Sequence, residues 1–184
     1  MRIIAGKKRG LKLQAPKGMN TRPTTDRVKE NLFNILQNEV SGKKVLDLFA
    51  GTGALGIEAM SRGAENAVFV ERDRQTFVQL CENLHKVEDL CCLDAIQKDS
   101  FSFLNDCKKQ FDLVFLDPPY KKGLAVRATE ILIQRELLIA GGLIVLETNQ
   151  GEELFSENEL SRLGLGIRKS VRYGNTCITI LEKI

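Results

Sequence analysis

Val45-Leu46-Asp47-Leu48-Phe49-Ala50-Gly51-Thr52-Gly53-Ala54-Leu55-Gly56 decides how the rest of this chain is read. Its first residues form a short apolar run, the pattern of a strand buried on both faces. Glycines at 51 and 53 then supply a tight turn, and helical spacing resumes from Ala54. A strand that passes through a glycine-rich turn into a helix is the opening unit of a doubly wound α/β sheet.

The chain on either side continues that alternation. Strands are expected over 44–48, 66–70, 91–96, 111–116 and 143–147, with helices over 26–38, 54–61, 73–86, 100–108 and from the turn at 121–123 to about 137. Thr25 and Asp26 are placed to cap the first helix, whose Val28, Leu32, Ile35 and Leu36 share one face. Runs at 166–171 and 176–181 flank Tyr173-Gly174-Asn175 and read as an antiparallel hairpin. The expected fold is a single Rossmann-like domain with a mostly parallel sheet closed by that hairpin.

Gly51-x-Gly53-x-x-Gly56 also satisfies the dinucleotide fingerprint, with Glu71 following at the end of the next strand. Asp47 argues for another ligand. Its carboxylate would repel a pyrophosphate but attract an ammonium or sulfonium group. S-adenosylmethionine carries both cations and no phosphate; a nicotinamide dinucleotide is the competitor. Glu71 can bind two ribose hydroxyls, and Asp99, after the 91–96 strand, can accept from the adenine amine. With Asp117, these acids each stand at the carboxyl end of an expected parallel strand, where open α/β sheets bind ligands.

Asp117-Pro118-Pro119-Tyr120 follows the strand Phe111-Asp112-Leu113-Val114-Phe115-Leu116. Neither proline can donate to a ladder, so the strand stops in a stiff turn. Such a turn suits an exocyclic amine, whose lone pair is delocalised into its base. The Asp117 carboxylate and the Pro118 carbonyl can each accept one N–H, aiming the lone pair outward and steadying the developing positive charge. Tyr120 offers a stacking face worth about 1–3 kcal/mol per base.

Net charge is +3, but residues 1–25 carry seven cations (Arg2, Lys7, Lys8, Arg9, Lys12, Lys17 and Arg22) and no acid. A basic arm on a mildly acidic body points to a polyanionic partner. Gly6 and Gly10 around Lys7-Lys8-Arg9 suggest a β-hairpin between 2–5 and 11–14, so residues 1–25 are expected to be a nucleic-acid-binding arm and 26–184 the main domain. Five cysteines without a Cys-x-x-Cys pair argue against zinc and against a disulfide framework. The lone histidine, His85, excludes a two-imidazole site and is expected to cap a helix. With mean hydropathy −0.15 and no membrane-length apolar run, a cytoplasmic protein is expected.

Asp47-x-Phe49-x-Gly51-x-Gly53 together with Asp117-Pro118-Pro119-Tyr120 resembles the amino-group methyltransferases that use S-adenosylmethionine. Arg22-Pro23-Thr24-Thr25-Asp26-Arg27-Val28-Lys29-Glu30-Asn31-Leu32-Phe33 is more specific and resembles the RsmD-like family, which methylates a guanine N2 amine in bacterial small-subunit ribosomal RNA. Arg2-Ile3-Ile4-Ala5-Gly6, Gly10-Leu11-Lys12-Leu13 and Tyr173-Gly174-Asn175-Thr176 match as well, so the likeness spans nearly all 184 residues. One departure is Ser100 after Asp99, where many relatives carry a small apolar residue. The resemblance implies a seven-stranded sheet with its last strand inserted antiparallel. It also implies cofactor binding at Asp47, Gly51, Gly53, Glu71 and Asp99 and amine binding at Asp117, Pro118 and Tyr120, while the charge of the arm points to RNA contact at Arg2, Lys7, Lys8, Arg9, Lys12 and Arg22. Ribosomal RNA or a small-subunit particle is then the partner, and the protein a monomer without metal. The alternatives share parts of this pattern: a DNA adenine or cytosine amino-methyltransferase, a protein-glutamine methyltransferase, or an RNA-binding module with an inactive pocket.

Overall fold

The computed structural model describes residues 1–15, 26–119, 123–149 and 154–184. Its strands are β1 (Lys44–Asp47), β2 (Asn66–Glu71), β3 (Cys92–Gln97), β4 (Phe111–Leu116), β5 (Leu138–Asn149), β6 (Leu165–Tyr173) and β7 (Thr176–Lys183). Its helices are α1 (Asp26–Leu36), α2 (Ala54–Ser61), α3 (Arg74–His85), α4 (Ser100–Asp106), α5 (Leu124–Gln134) and α6 (Glu157–Leu163). The strands form one seven-stranded sheet in the order β3-β2-β1-β4-β5-β7-β6. β1 to β5 run parallel, whereas β7 lies antiparallel between β5 and β6. The chain reverses its direction of travel across the sheet between β1 and β4, so a crevice opens at their carboxyl ends.

Alternation sorts the buried strand residues between two cores, apart from the register shift on β4 that sends Phe111 to the second. Val45, Phe69, Leu113, Phe115, Val145 and Ile178 pack with residues of α1, α2 and α3. Leu46, Val68, Val114, Leu116, Ile144 and Leu181 pack with residues of α4, α5 and α6. Nearly continuous apolar strands are what burial on both faces demands.

The N-terminal arm departs from expectation. No pair of strands forms there; the β-hairpin is replaced by a loop with one antiparallel bridge, Arg2 to Lys12. The reason lies in where the amides go. Ile4 and Ala5 donate to the Glu58 carboxylate at 2.8 and 3.0 Å, while Lys7 and Lys8 donate to the Ser61 carbonyl and hydroxyl. Amides committed to α2 cannot extend a ladder. Gly6 sits so close to α2, with φ +85°, that a Cβ would lie 1.9 Å from the Ser61 carbonyl oxygen. Ile3 and Leu13 are buried in the α1–α2–α3 core, which pins the loop at both ends.

Other differences are local. Glu157–Leu163 is helical although its sequence predicted no element; Ser156 and Glu159 form a capping box, a signal plainly present in Ser156-Glu157-Asn158-Glu159. α5 stops at Gln134 rather than near 137, because Leu137 and Leu138 turn into the second core, where the Leu137 carbonyl accepts from Phe111. α1 ends at Leu36 and a 3-10 turn, Gln37–Glu39, completes it. The expected cap at Thr25 lies outside the described residues. Among the described residues, no helix is long and apolar enough to cross a membrane.

Candidate active site

β1 ends at Asp47, whose carboxylate is 3% exposed and accepts from the Gly56 amide at 2.9 Å. Gly56 is therefore a packing glycine: a Cβ there would lie 2.3 Å from the Phe69 ring. Burial pushes the Asp47 carboxyl up to about 7, against the Gly56 hydrogen bond and with help from the nearby Glu71 charge. Gly53 caps α2 in the left-handed conformation, with φ +85°. Gly51 is also left-handed, at φ +53°, and a Cβ there would meet nothing within 4 Å, so the turn presents open backbone.

Glu71 ties two loops together. One carboxylate oxygen accepts from the Gly51 amide at 3.0 Å and the other from the Asp73 amide at 2.7 Å. Asp99 is the N-cap of α4, accepting from the Phe101 and Ser102 amides. The adjacent Ser100 hydroxyl donates to the Leu48 carbonyl at 2.9 Å, fastening the α4 start to the end of β1. Phe101 stands edge-on to Phe49 at 6.4 Å and beneath the Arg127 guanidinium at 4.2 Å.

Asp117 follows β4 directly and is half-buried, as is Pro118. Its carboxyl is held well above the usual range, first by desolvation, then by the charges of Glu147 and Asp47. Register explains the crowding. Asp47 pairs with Phe69 and Phe115, and Phe115 pairs with Val145. Two residues further along each strand come Glu71, Asp117 and Glu147, so alternation assigns all four acids to one face of the sheet. Glu147 is a member that sequence reading overlooked; its signal was a fifth strand ending in an acid. Tyr120 and Arg22 lie outside the described residues.

Among the described residues, no salt bridge joins the arm's basic residues to Asp47, Glu71 or Asp117. Arg2 pairs with Asp26 at 3.5 Å and Lys8 with Asp89 at 2.8 Å, whereas Lys7, Arg9 and Lys12 are exposed on the arm. Sequence reading also missed the buried polar groups that hold the arm. Lys29, Glu58 and Asn83 are each 0% exposed. Lys29 donates to the Arg2 carbonyl and pairs with Glu58, which also receives Arg62. Asn83 donates to the Gln14 and Thr52 carbonyls and accepts from the Gln14 amide, joining arm and glycine turn through α3. Polar residues at helical core positions carry no sequence mark that separates them from surface ones.

The family described as Conserved hypothetical protein 95 matches residues 1–182. Ribosomal RNA small subunit methyltransferase D of Haemophilus influenzae is 40% identical over 161 residues, covering 85% of this chain and 82% of its own. The protein of the same name from Escherichia coli K12 is 39% identical over 148 residues, or 80% of this chain and 74% of its own. The chain belongs to this RsmD-like methyltransferase family. The solved structure of Escherichia coli yhhF agrees over the whole fold, with a TM-score of 0.87 at 33% identity, covering 100% of this chain and 97% of that one. S-adenosylmethionine is the methyl donor that the sequence resemblance implies. The residues present fit that donor: open backbone at Gly51, two carboxylates on one side and, among the described residues, no cationic side chain hydrogen-bonded to either.

Proposed function

We propose that this RsmD-like protein methylates the exocyclic N2 amine of a guanine in small-subunit ribosomal RNA. The observation that carries the reading is the position of Asp117-Pro118, immediately past β4 and on the same face as Asp47 and Glu71. The names of the Haemophilus and Escherichia relatives support the substrate class.

Asp47 holds the donor's ammonium group, Glu71 its ribose hydroxyls, Gly51 and Gly53 allow its close approach to backbone, and Asp99 receives the adenine amine. When bound, the donor supplies an electrophilic methyl carbon beside a sulfonium. Asp117 and the Pro118 carbonyl each accept one N–H of the target amine, which leaves the nitrogen lone pair aimed at that carbon. Tyr120 stacks on the base. The Asp117 charge steadies the alkylated nitrogen, whose extra proton leaves to water without a dedicated base. Transfer is a direct displacement with no covalent enzyme intermediate. The target must first leave its stack, at a cost of a few kcal/mol, which is smallest in a loop.

Residues 1–25 act as the RNA-gripping arm of the 26–184 catalytic unit, through Arg2, Lys7, Lys8, Arg9, Lys12 and Arg22. The protein works as a cytoplasmic monomer on ribosomal RNA or an assembling small-subunit particle. Mass mapping of modified nucleosides in ribosomal RNA from cells lacking the protein tests this reading. Loss of one N2-methylguanosine, restored by the wild-type gene, is expected; an unchanged modification map contradicts it.

A further inference from the structure

We propose that Glu147 reads the N1–H of the target guanine and thereby selects guanine over bases that present a bare ring nitrogen beside their amine. The inference rests on the methyl-transfer reading above and adds the group that chooses the base.

The placement comes from the sheet. β4 and β5 are parallel, with Leu116 paired to Leu146, so Asp117 and Glu147 are the next residues on neighbouring strands. Phe115 and Val145, two residues earlier, both lie in the α1–α2–α3 core, so alternation returns Asp117 and Glu147 to that same face. Neighbouring strands run about 4.8 Å apart, which sets two such carboxylates side by side. Glu147 is half-buried at this edge of the sheet. Its charge is felt at Asp117, ahead of that of Asp47.

A carboxylate can accept several hydrogen bonds at once, so two adjacent carboxylates match two adjacent donors whatever else they bind. Guanine supplies them, because its N1–H stands next to its N2 amine on the Watson–Crick edge. Adenine and cytosine also carry amines, but each places a lone pair at the corresponding ring nitrogen. That lone pair would face the Glu147 carboxylate, with no proton between two acceptors. A flipped base is read on this edge, so the mismatch falls where recognition happens. A site built to bind an N–H rejects the analogue lacking it far more strongly than a shape mismatch does. Glu147 makes and breaks no covalent bond: it orients the ring while Asp117 and Pro118 hold the amine. The donor-rich edge also relieves the repulsion between the two carboxylates.

The test uses small-subunit RNA assembled by ligation, carrying either guanosine or 2-aminopurine riboside at the mapped methylation position. 2-Aminopurine keeps the 2-amine and lacks the N1 proton. For the wild-type protein, kcat/KM should favour guanosine by about tenfold to a hundredfold. Glu147→Gln, whose amide can donate to a bare N1, should shrink that ratio at least about tenfold or reverse it, with S-adenosylhomocysteine affinity within about twofold of wild type. Equal rates on the two RNAs, or a ratio unchanged in Glu147→Gln, would overturn the proposal while leaving the methyl-transfer reading intact. No methylation of the guanosine RNA by wild type would overturn both. If Glu147→Gln does not fold, the wild-type ratio decides alone.

Discussion

The carboxyl edge of the sheet and the N-terminal arm both place carboxylates in buried surroundings, and they treat them in opposite ways. On the arm side, Glu58 is fully enclosed and receives the Ile4 and Ala5 amides, the Arg62 guanidinium and the Lys29 ammonium. At the sheet edge, the Asp47 and Asp117 carboxyls are both raised, first by burial and then by like charge, from Glu71 at Asp47 and from Glu147 and Asp47 at Asp117. A carboxylate surrounded by donors is part of the architecture. Carboxylates crowded together and held above their ordinary range suit donors that arrive from outside, which in the proposed reaction are an ammonium and a base amine.

Removing the satisfied acid should produce the largest effect. Glu58→Ala leaves Lys29 buried without its partner and frees two arm amides, a loss of about 3–5 kcal/mol. In a chain of this size the melting temperature should fall by roughly 10 °C, since each kcal/mol shifts it by about 2–4 °C. A calorimetric scan showing no drop would mean that the arm is not held by this network.

Removing a crowded acid should do the reverse. The Asp47 carboxyl is raised to about 7, so between its unfolded value and that point the folded state binds more protons than the unfolded one. Stability therefore declines as pH rises through this window. Asp47→Asn should melt several degrees above wild type at pH 8 and close to it at pH 4, while binding S-adenosylhomocysteine more weakly. A variant that is less stable at pH 8 would place Asp47 with Glu58, among the architectural acids.

Glu71 tests the boundary between the two regions because it joins the Gly51 and Asp73 amides and is also the acid proposed to bind the ribose. Glu71→Ala should weaken S-adenosylhomocysteine about tenfold to a hundredfold by calorimetry, the equivalent of losing hydrogen bonds to a charged group. RNA affinity should stay near wild type. The smallest effects belong to the exposed arm. Replacing Lys7 and Arg9 by alanine should lower the salt slope of RNA binding by up to about 2, near 0.9 for each phosphate no longer neutralised. Lys8→Ala should change it less, because Lys8 already pairs with Asp89. An unaltered slope in the Lys7 and Arg9 variant would make the arm a solubilising loop.

The same contrast explains what the sequence could and could not disclose. Apolar strands, a glycine turn and acids at strand ends are local patterns, so β1, β4, α2 and the acids at 47, 71, 99 and 117 were legible one segment at a time. The face they share was not, because it depends on inter-strand register, and Glu147 became visible only when Leu146 was seen opposite Leu116. The arm was misread for a related reason. Gly6 and Gly10 mark turns, but turns alone do not say whether the amides between them face each other or face Glu58 and Ser61. α6 is different: its capping box stood in the sequence, and its seven-residue length left too little apolar periodicity to draw notice.

Asp117→Ala measured for both turnover and donor binding bears most directly on the central claim. RNA methylation should fall by at least about a hundredfold, the cost of removing one preorganised charge at a developing ion. S-adenosylhomocysteine affinity should stay within about threefold of wild type, because the role proposed for Asp117 is toward the amine and not the donor's ribose or ammonium. Methylation at the wild-type rate, with the carboxylate gone, would contradict the account.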